Sequence, residues 1–133
     1  MFALDTKILV VDDTMMMRSM IKKTLTGLGF TKVFDANDGA TAWPLIDAAQ
    51  TEGDPFGLVL SDWNMPIMTG IELLKKIRAD ERLKDVPFVI VTSEGEKTKV
   101  IEAISAGITQ YVVKPFTANV LKDKLDQISK QVA

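Results

Sequence analysis

Apolar residues along this chain change period again and again, from near-continuous runs to a helical spacing of threes and fours and back. Lys7-Ile8-Leu9-Val10-Val11 is one such run, the habit of a parallel strand buried on both faces, and it stops at Asp12-Asp13-Thr14. From Met15 to Leu28 the apolar positions Met17, Met20, Ile21, Leu25 and Leu28 fall at helical spacing, opposite Arg18, Lys22 and Lys23. Gly27 and Gly29 mark the end of that helix.

The alternation then repeats. A weaker strand, Lys32 to Asp35, leads through Ala36-Asn37-Asp38-Gly39 into a helical segment carrying Ala40, Ala42, Trp43, Leu45 and Ile46. Pro44 predicts a late start or a kink there, because its ring removes a backbone donor and crowds the preceding turn. A polar loop, Gln50 to Gly57, precedes the short buried strand Leu58 to Leu60, which is cut off by Ser61-Asp62 and a turn with Pro66 and Gly70. Ile71 to Ala79 is amphipathic, with Ile71, Leu74 and Ile77 on one face. Pro87 to Thr92 reads as a fourth strand, Val100, Ile101 and Ile104 as a helix closed by Ala106-Gly107, and Gln110 to Val113 as a fifth strand running into Lys114-Pro115. A last helix from about Ala118 to Gln131 buries Leu121, Leu125 and Ile128, with Val132 next in the series. Strands alternating with helices through short loops predict an α/β doubly wound parallel sheet with right-handed crossovers.

Composition narrows the chemistry more than the fold. With 133 residues, 47% of them hydrophobic, the expectation is one domain with a sizeable core and no room for a separate effector domain. The 16 basic and 18 acidic residues are intermixed, so no basic footprint points to nucleic acid. Ile8 to Val11 is too short to cross a bilayer and runs into two carboxylates, which argues for a cytoplasmic protein without a membrane partner. Cysteine and histidine are both absent, removing disulfides, thiolate catalysis and imidazole ligands. What remains is carboxylate, hydroxyl, lysine and hard-metal chemistry.

A single Asp behind a strand is more often a turn former or a helix cap than a reactive group. Here the strands supply company. Asp12 and Asp13 follow the first, Asp62 the third, Thr92 ends the fourth and Lys114 follows the fifth, all at one edge of the predicted sheet, where ligands gather in open parallel sheets. Three close carboxylates repel one another unless a cation intervenes. Magnesium, with manganese as a substitute, suits Asp13 and Asp62 as ligands with the Asn64 backbone carbonyl, while Asp12 holds a metal-bound water. Asp62 keeps an oxygen free for attack on a phosphoryl group, helped by Lys114 and the Thr92 hydroxyl.

Asp12-Asp13, Ser61-Asp62-Trp63-Asn64-Met65-Pro66, Val91-Thr92-Ser93-Glu94 and Tyr111-Val112-Val113-Lys114-Pro115-Phe116 together resemble, in order, the motifs of response-regulator receiver domains, and most of all the single-domain chemotaxis regulators. The resemblance implies a flavodoxin-like sheet in the order 2-1-3-4-5, a cis Lys114-Pro115 bond, and Asp62 as acceptor of a phosphoryl group from a chemotaxis-type histidine kinase. It also implies that Thr92 and Tyr111 reposition, and that Asn64 and Glu94 affect phosphoryl loss and the action of a phosphatase. Taken alone, a sole tyrosine on a short strand is more often packing than relay. The face carrying Thr92, Tyr111, Lys97, Val100, Ile104 and Lys124 is the expected partner surface, with a flagellar motor switch protein as the expected target of a monomeric switch.

Two competitors share parts of this pattern. An aspartate-nucleophile phosphatase calls for an Asp-x-Asp run after the first strand and a cap domain, and a flavin carrier calls for a phosphate-cradling first loop, which Asp12-Asp13 would repel. The run Met15-Met16-Met17 behind the first carboxylates is read as packing at the helix start.

Overall fold

The chain alternates β1(Lys7–Val11), α1(Met15–Gly27), β2(Lys32–Ala36), α2(Gly39–Thr51), β3(Leu58–Ser61), α3(Gly70–Ala79), β4(Phe88–Thr92), α4(Lys97–Ala106), β5(Gln110–Val113) and α5(Ala118–Val132). The computed structural model describes residues 2–93 and 97–132, with 97–100 and 131–132 described only by their place in a helix. All strand pairs are parallel and the sheet order is β2-β1-β3-β4-β5, the flavodoxin-like arrangement.

Strand side chains alternate between two cores. Leu9, Val11, Val59, Phe88 and Ile90 meet Ile46, Leu74, Ile77 and Ala103 on one face of the sheet. Ile8, Val10, Leu58, Leu60, Val89 and Val91 meet Ile21, Leu25, Leu121, Leu125 and Ile128 on the other. Helices α2, α3 and α4 therefore cover one face, and α1 and α5 the other. Because β1, β3 and β4 are covered on both sides, they read as continuous apolar runs, whereas β2 is an edge strand with alternate residues in solvent. That is why its sequence signal is weak.

The late start predicted for α2 does not occur. The helix begins at Gly39, where Asp38 Oδ1 accepts the Thr41 N–H at 2.7 Å, and continues through Pro44. Pro44 stands past the N–H groups that lack a partner at a helix start, so it forfeits the bond to the Ala40 carbonyl, yet the helix runs on to Thr51. Four apolar residues read as part of helix periodicity stand in solvent instead, Met20, Leu45, Ile101 and Ile104, and of the methionine run read as packing, Met15 and Met16 are exposed as well. Trp43 is half-buried, with the Lys76 ammonium 4.8 Å from its ring centroid.

One cation ties distant parts of the fold together. Arg78 of α3 donates from Nε to the Gly107 carbonyl at 2.8 Å and from Nη1 to the Val86 carbonyl at 2.7 Å, joining α3 to the end of α4 and the entry to β4. Burial holds its guanidinium below the ordinary arginine value, with Asp85 opposing the shift.

Candidate functional site

Parallel pairing brings the C-terminal ends of β1, β3, β4 and β5 to one edge: Val11 pairs Ser61, Ser61 pairs Ile90, and Thr92 pairs Val113. Asp12, Asp13, Asp62, Thr92 and Lys114 each follow, or end, one of these strands. Asp12, Asp13 and Asp62 each offer an oxygen within 4.8 Å of the others, the only such acidic group among the described residues. Lys114 Nζ reaches into it, 3.0 Å from Asp12 Oδ2 and 3.6 Å from Asp62 Oδ2. A set of hard anionic oxygens larger in charge than its single lysine fits a divalent cation such as magnesium.

The three carboxylates are held very differently. Asp12 is fully buried, and both its oxygens are engaged, Oδ2 by Lys114 and Oδ1 by the Thr14 N–H and hydroxyl. Its backbone is fixed too, the N–H donating to the Ala36 carbonyl and the carbonyl accepting from Arg18 Nη1 at 2.8 Å. Asp13 faces solvent. Asp62 is intermediate, with Oδ1 accepting the Trp63 N–H at 2.7 Å and Oδ2 turned toward Lys114. Burial pushes the Asp62 carboxyl above its ordinary 3.8; Lys114 and the Trp63 N–H oppose the rise, while Asp12 and Asp13 add to it.

The loop after Asp62 is folded tightly over the strand end. The Gly70 N–H donates to the Trp63 carbonyl at 2.9 Å, and a Cβ at position 70 would overlap the Asp62 carbonyl. Trp63 and Met65 are buried, Asn64 is exposed, and Ile67 is 83% exposed with φ at +67°, a left-handed conformation that costs a β-branched side chain. Thr69 caps α3 reciprocally with Glu72, which fixes where the loop ends.

Thr92 is buried at the end of β4, where its carbonyl accepts the Lys114 N–H at 2.8 Å, and the Lys114-Pro115 bond is cis. Tyr111 packs partly buried against the core, with Lys124 Nζ 5.6 Å from its ring centroid. Ile104 is 61% exposed on the same side. Of the remaining predicted positions, Glu94 lies outside the described residues, as do the side chains of Lys97 and Val100.

Sequence reasoning passed over two groups that shape the pocket. Thr14 and Arg18 hold Asp12 from its side chain and its backbone, and Arg18 Nε also pairs with Asp35 Oδ2 at 3.0 Å. Their signal was available: a hydroxyl next to a carboxylate pair, and an arginine one turn into the following helix.

A pocket of this make-up at the strand ends of a doubly wound sheet defines a class, and the response regulator receiver domain family matches residues 8–126; the chain belongs to that family. Its sequence relatives include chemotaxis regulators. The chain is 50% identical over 126 residues to the chemotaxis protein CheY of Pseudomonas aeruginosa, covering 95% of this chain and 98% of that one. It is 49% identical over 126 residues to CheY-3 of Vibrio cholerae, covering 95% and 93%. Among solved structures, Vibrio cholerae CheY4 superposes with a TM-score of 0.82 at 35% identity, covering 93% of this chain and 98% of that one. The receiver domain of the Pseudomonas aeruginosa sensor histidine kinase PA1611, solved with a magnesium ion coordinated in its active-site cleft, matches with a TM-score of 0.79 at 26% identity over 94% and 98% of the two chains. A receiver is a signalling switch rather than a conventional enzyme, and this chain is consistent with a chemotaxis response regulator. No helix among the described residues is long and apolar enough to cross a membrane.

Proposed function

We propose that this chain is a cytoplasmic phosphoacceptor switch of a chemotaxis two-component system, modified on Asp62. The observation that carries the reading is the gathering of Asp12, Asp13 and Asp62 around one lysine, in a chain half-identical to chemotaxis receivers. An Asp62 oxygen attacks phosphorus, the P–N bond of a phosphohistidine breaks, and the imidazole leaves with the electron pair. The sequence contains no histidine, so the donor imidazole lies outside it, on a histidine kinase. Asp13, Asp62 and the Asn64 carbonyl would hold magnesium, with Asp12 binding a coordinated water; manganese would substitute through the same ligand chemistry. Bound magnesium supplies charge neutralisation at the phosphoryl oxygens. Lys114 supplies a second cation at the same oxygens, and the Thr92 hydroxyl turns toward them.

Inward movement of Thr92 frees space for the Tyr111 ring, and the face of α4, β5 and α5 with Lys97, Val100, Ile104, Tyr111 and Lys124 changes shape. A flagellar motor switch protein binds that face in one of its two states. Asn64 and Glu94 tune phosphoryl loss and the access of a phosphatase. The likeness to the receiver of a sensor kinase favours one alternative, a relay or adaptor role away from the motor.

Trp63 adjoins Asp62 and provides the test. Magnesium, followed by acetyl phosphate or beryllium fluoride, is expected to change its fluorescence, with the mass gain from acetyl phosphate confined to Asp62 and absent in Asp62→Asn. A silent tryptophan and an unmodified Asp62 would remove the phosphoacceptor reading. Binding of a motor switch peptide that does not depend on phosphorylation would remove the chemotaxis output.

A further inference from the structure

Thr14 occupies the N-cap position of α1, with the extended backbone of a cap residue, φ −100° and ψ 124°. Threonine there normally turns its oxygen onto the N–H groups of the first helical turn. This one does not, and no side-chain cap bond is made. Its hydroxyl instead donates to Asp12 Oδ1 at 2.7 Å, and its N–H donates to the same oxygen at 2.9 Å. The helix gives up a cap, and a fully buried carboxylate gains two donors on one oxygen.

Among the described residues the other Asp12 oxygen is served by Lys114 alone, 3.0 Å away, and the same ammonium stands 3.6 Å from Asp62. The division of Lys114 between two carboxylates therefore depends on how much of the Asp12 charge is met from elsewhere. We propose that Thr14 is a positioning residue: by satisfying Asp12 Oδ1 it keeps Asp12 in one orientation and leaves Lys114 free to serve Asp62. This rests on the phosphoacceptor reading above. Without the hydroxyl, Asp12 is a buried anion short of one donor, and it draws Lys114 to itself. Lys114 is then held back from the phosphoryl group it has to meet on Asp62.

Thr14→Val keeps the shape and the backbone donor and removes only the hydroxyl, while Thr14→Ser restores the donor without the methyl group. Two readouts decide the matter. In metal-free protein, exchange of the Lys114 ammonium protons with water, followed by nitrogen-15 NMR, is expected to slow in Thr14→Val and return to the wild-type rate in Thr14→Ser. At saturating magnesium, the rate constant for phosphorylation of Asp62 by acetyl phosphate is expected to fall roughly tenfold in Thr14→Val, the weight of one charge-assisted hydrogen bond, and to recover in Thr14→Ser. A wild-type rate and an unchanged Lys114 signal in Thr14→Val would overturn the proposal. So would a Thr14→Ser protein as slow as Thr14→Val, since the methyl group and not the hydroxyl would then matter. If wild-type protein takes no phosphoryl group, the functional reading falls, whereas the metal-free Lys114 signal still judges Thr14 by itself. Thermal unfolding of each variant separates a folding defect from either effect.

Discussion

Asp12 and Ile104 stand at opposite extremes of this molecule. The first is a charged group with no exposed surface and both oxygens hydrogen-bonded; the second is an apolar side chain 61% in solvent, on a helix that, among its described side chains, meets the core through Ala103 and partly through Ala106. Around Asp12, donors arrive from Thr14, Lys114 and Arg18, so burial of charge is offset bond by bond. Around Ile104, small Ala103 reaches the core while Ile101 and Ile104 are left uncovered, and little packing would be lost by changing them. The strand-end pocket is therefore over-determined, and the α4 surface is under-determined. The reactive role proposed for the pocket calls for the first condition, and the two-state surface proposed for α4 would tolerate the second.

The largest effect is expected where the pocket loses its cation. Lys114→Met leaves Asp12 as an unpaired buried anion beside two further carboxylates, and urea unfolding without magnesium should show a loss of about 3 kcal/mol. Asp62→Asn should act in the opposite sense and depend on pH. The folded Asp62 carboxyl holds its proton to higher pH than the ordinary 3.8 of the unfolded chain, so its ionisation costs stability as pH rises through that interval. The variant is accordingly expected to be more stable than wild type at neutral pH, with the gain vanishing below 3.8; an equal gain at both ends would show that burial of this charge is not the cause. A smaller effect is expected at Ile67, where Asn removes a β-branched side chain from a left-handed backbone and should raise stability by about 1 kcal/mol in thermal unfolding. Smallest of all, Ile104→Ser should stay within about 0.5 kcal/mol of wild type in the same assay. A cost at Ile104 as large as that at Lys114 would erase the contrast between the two regions.

What the sequence makes legible follows the same division. Strands covered on both faces announce themselves as apolar runs, and the carboxylates and Thr92 are found at their ends, with Lys114 after the edge strand β5, because parallel pairing puts all those ends at one edge. Periodicity is less informative on the helices. It does not say that Met20, Leu45 and Ile101 stay wet, because a helix only one side of which meets the sheet can carry apolar residues just outside that stripe. Pro44 misleads in another way: the bond it forfeits does not stop the helix, and Asp38 had already fixed the start. Thr14 is ambiguous in one dimension, since a threonine before a helix can accept from the N–H groups of the first turn or donate to a nearby carboxylate, and only the folded pocket shows which it does.

Arg78 carries a consequence for how α4 can move. Its guanidinium rivets the Gly107 carbonyl to the Val86 carbonyl, and Gly107, at φ +95°, has a Cβ position only 3.3 Å from Arg78 Nε. A side chain at 107 would be strained in itself and would press the rivet out of line. With that end tied to α3 and to the entry of β4, any displacement of α4 would have to pivot about the Gly107 corner rather than slide past it.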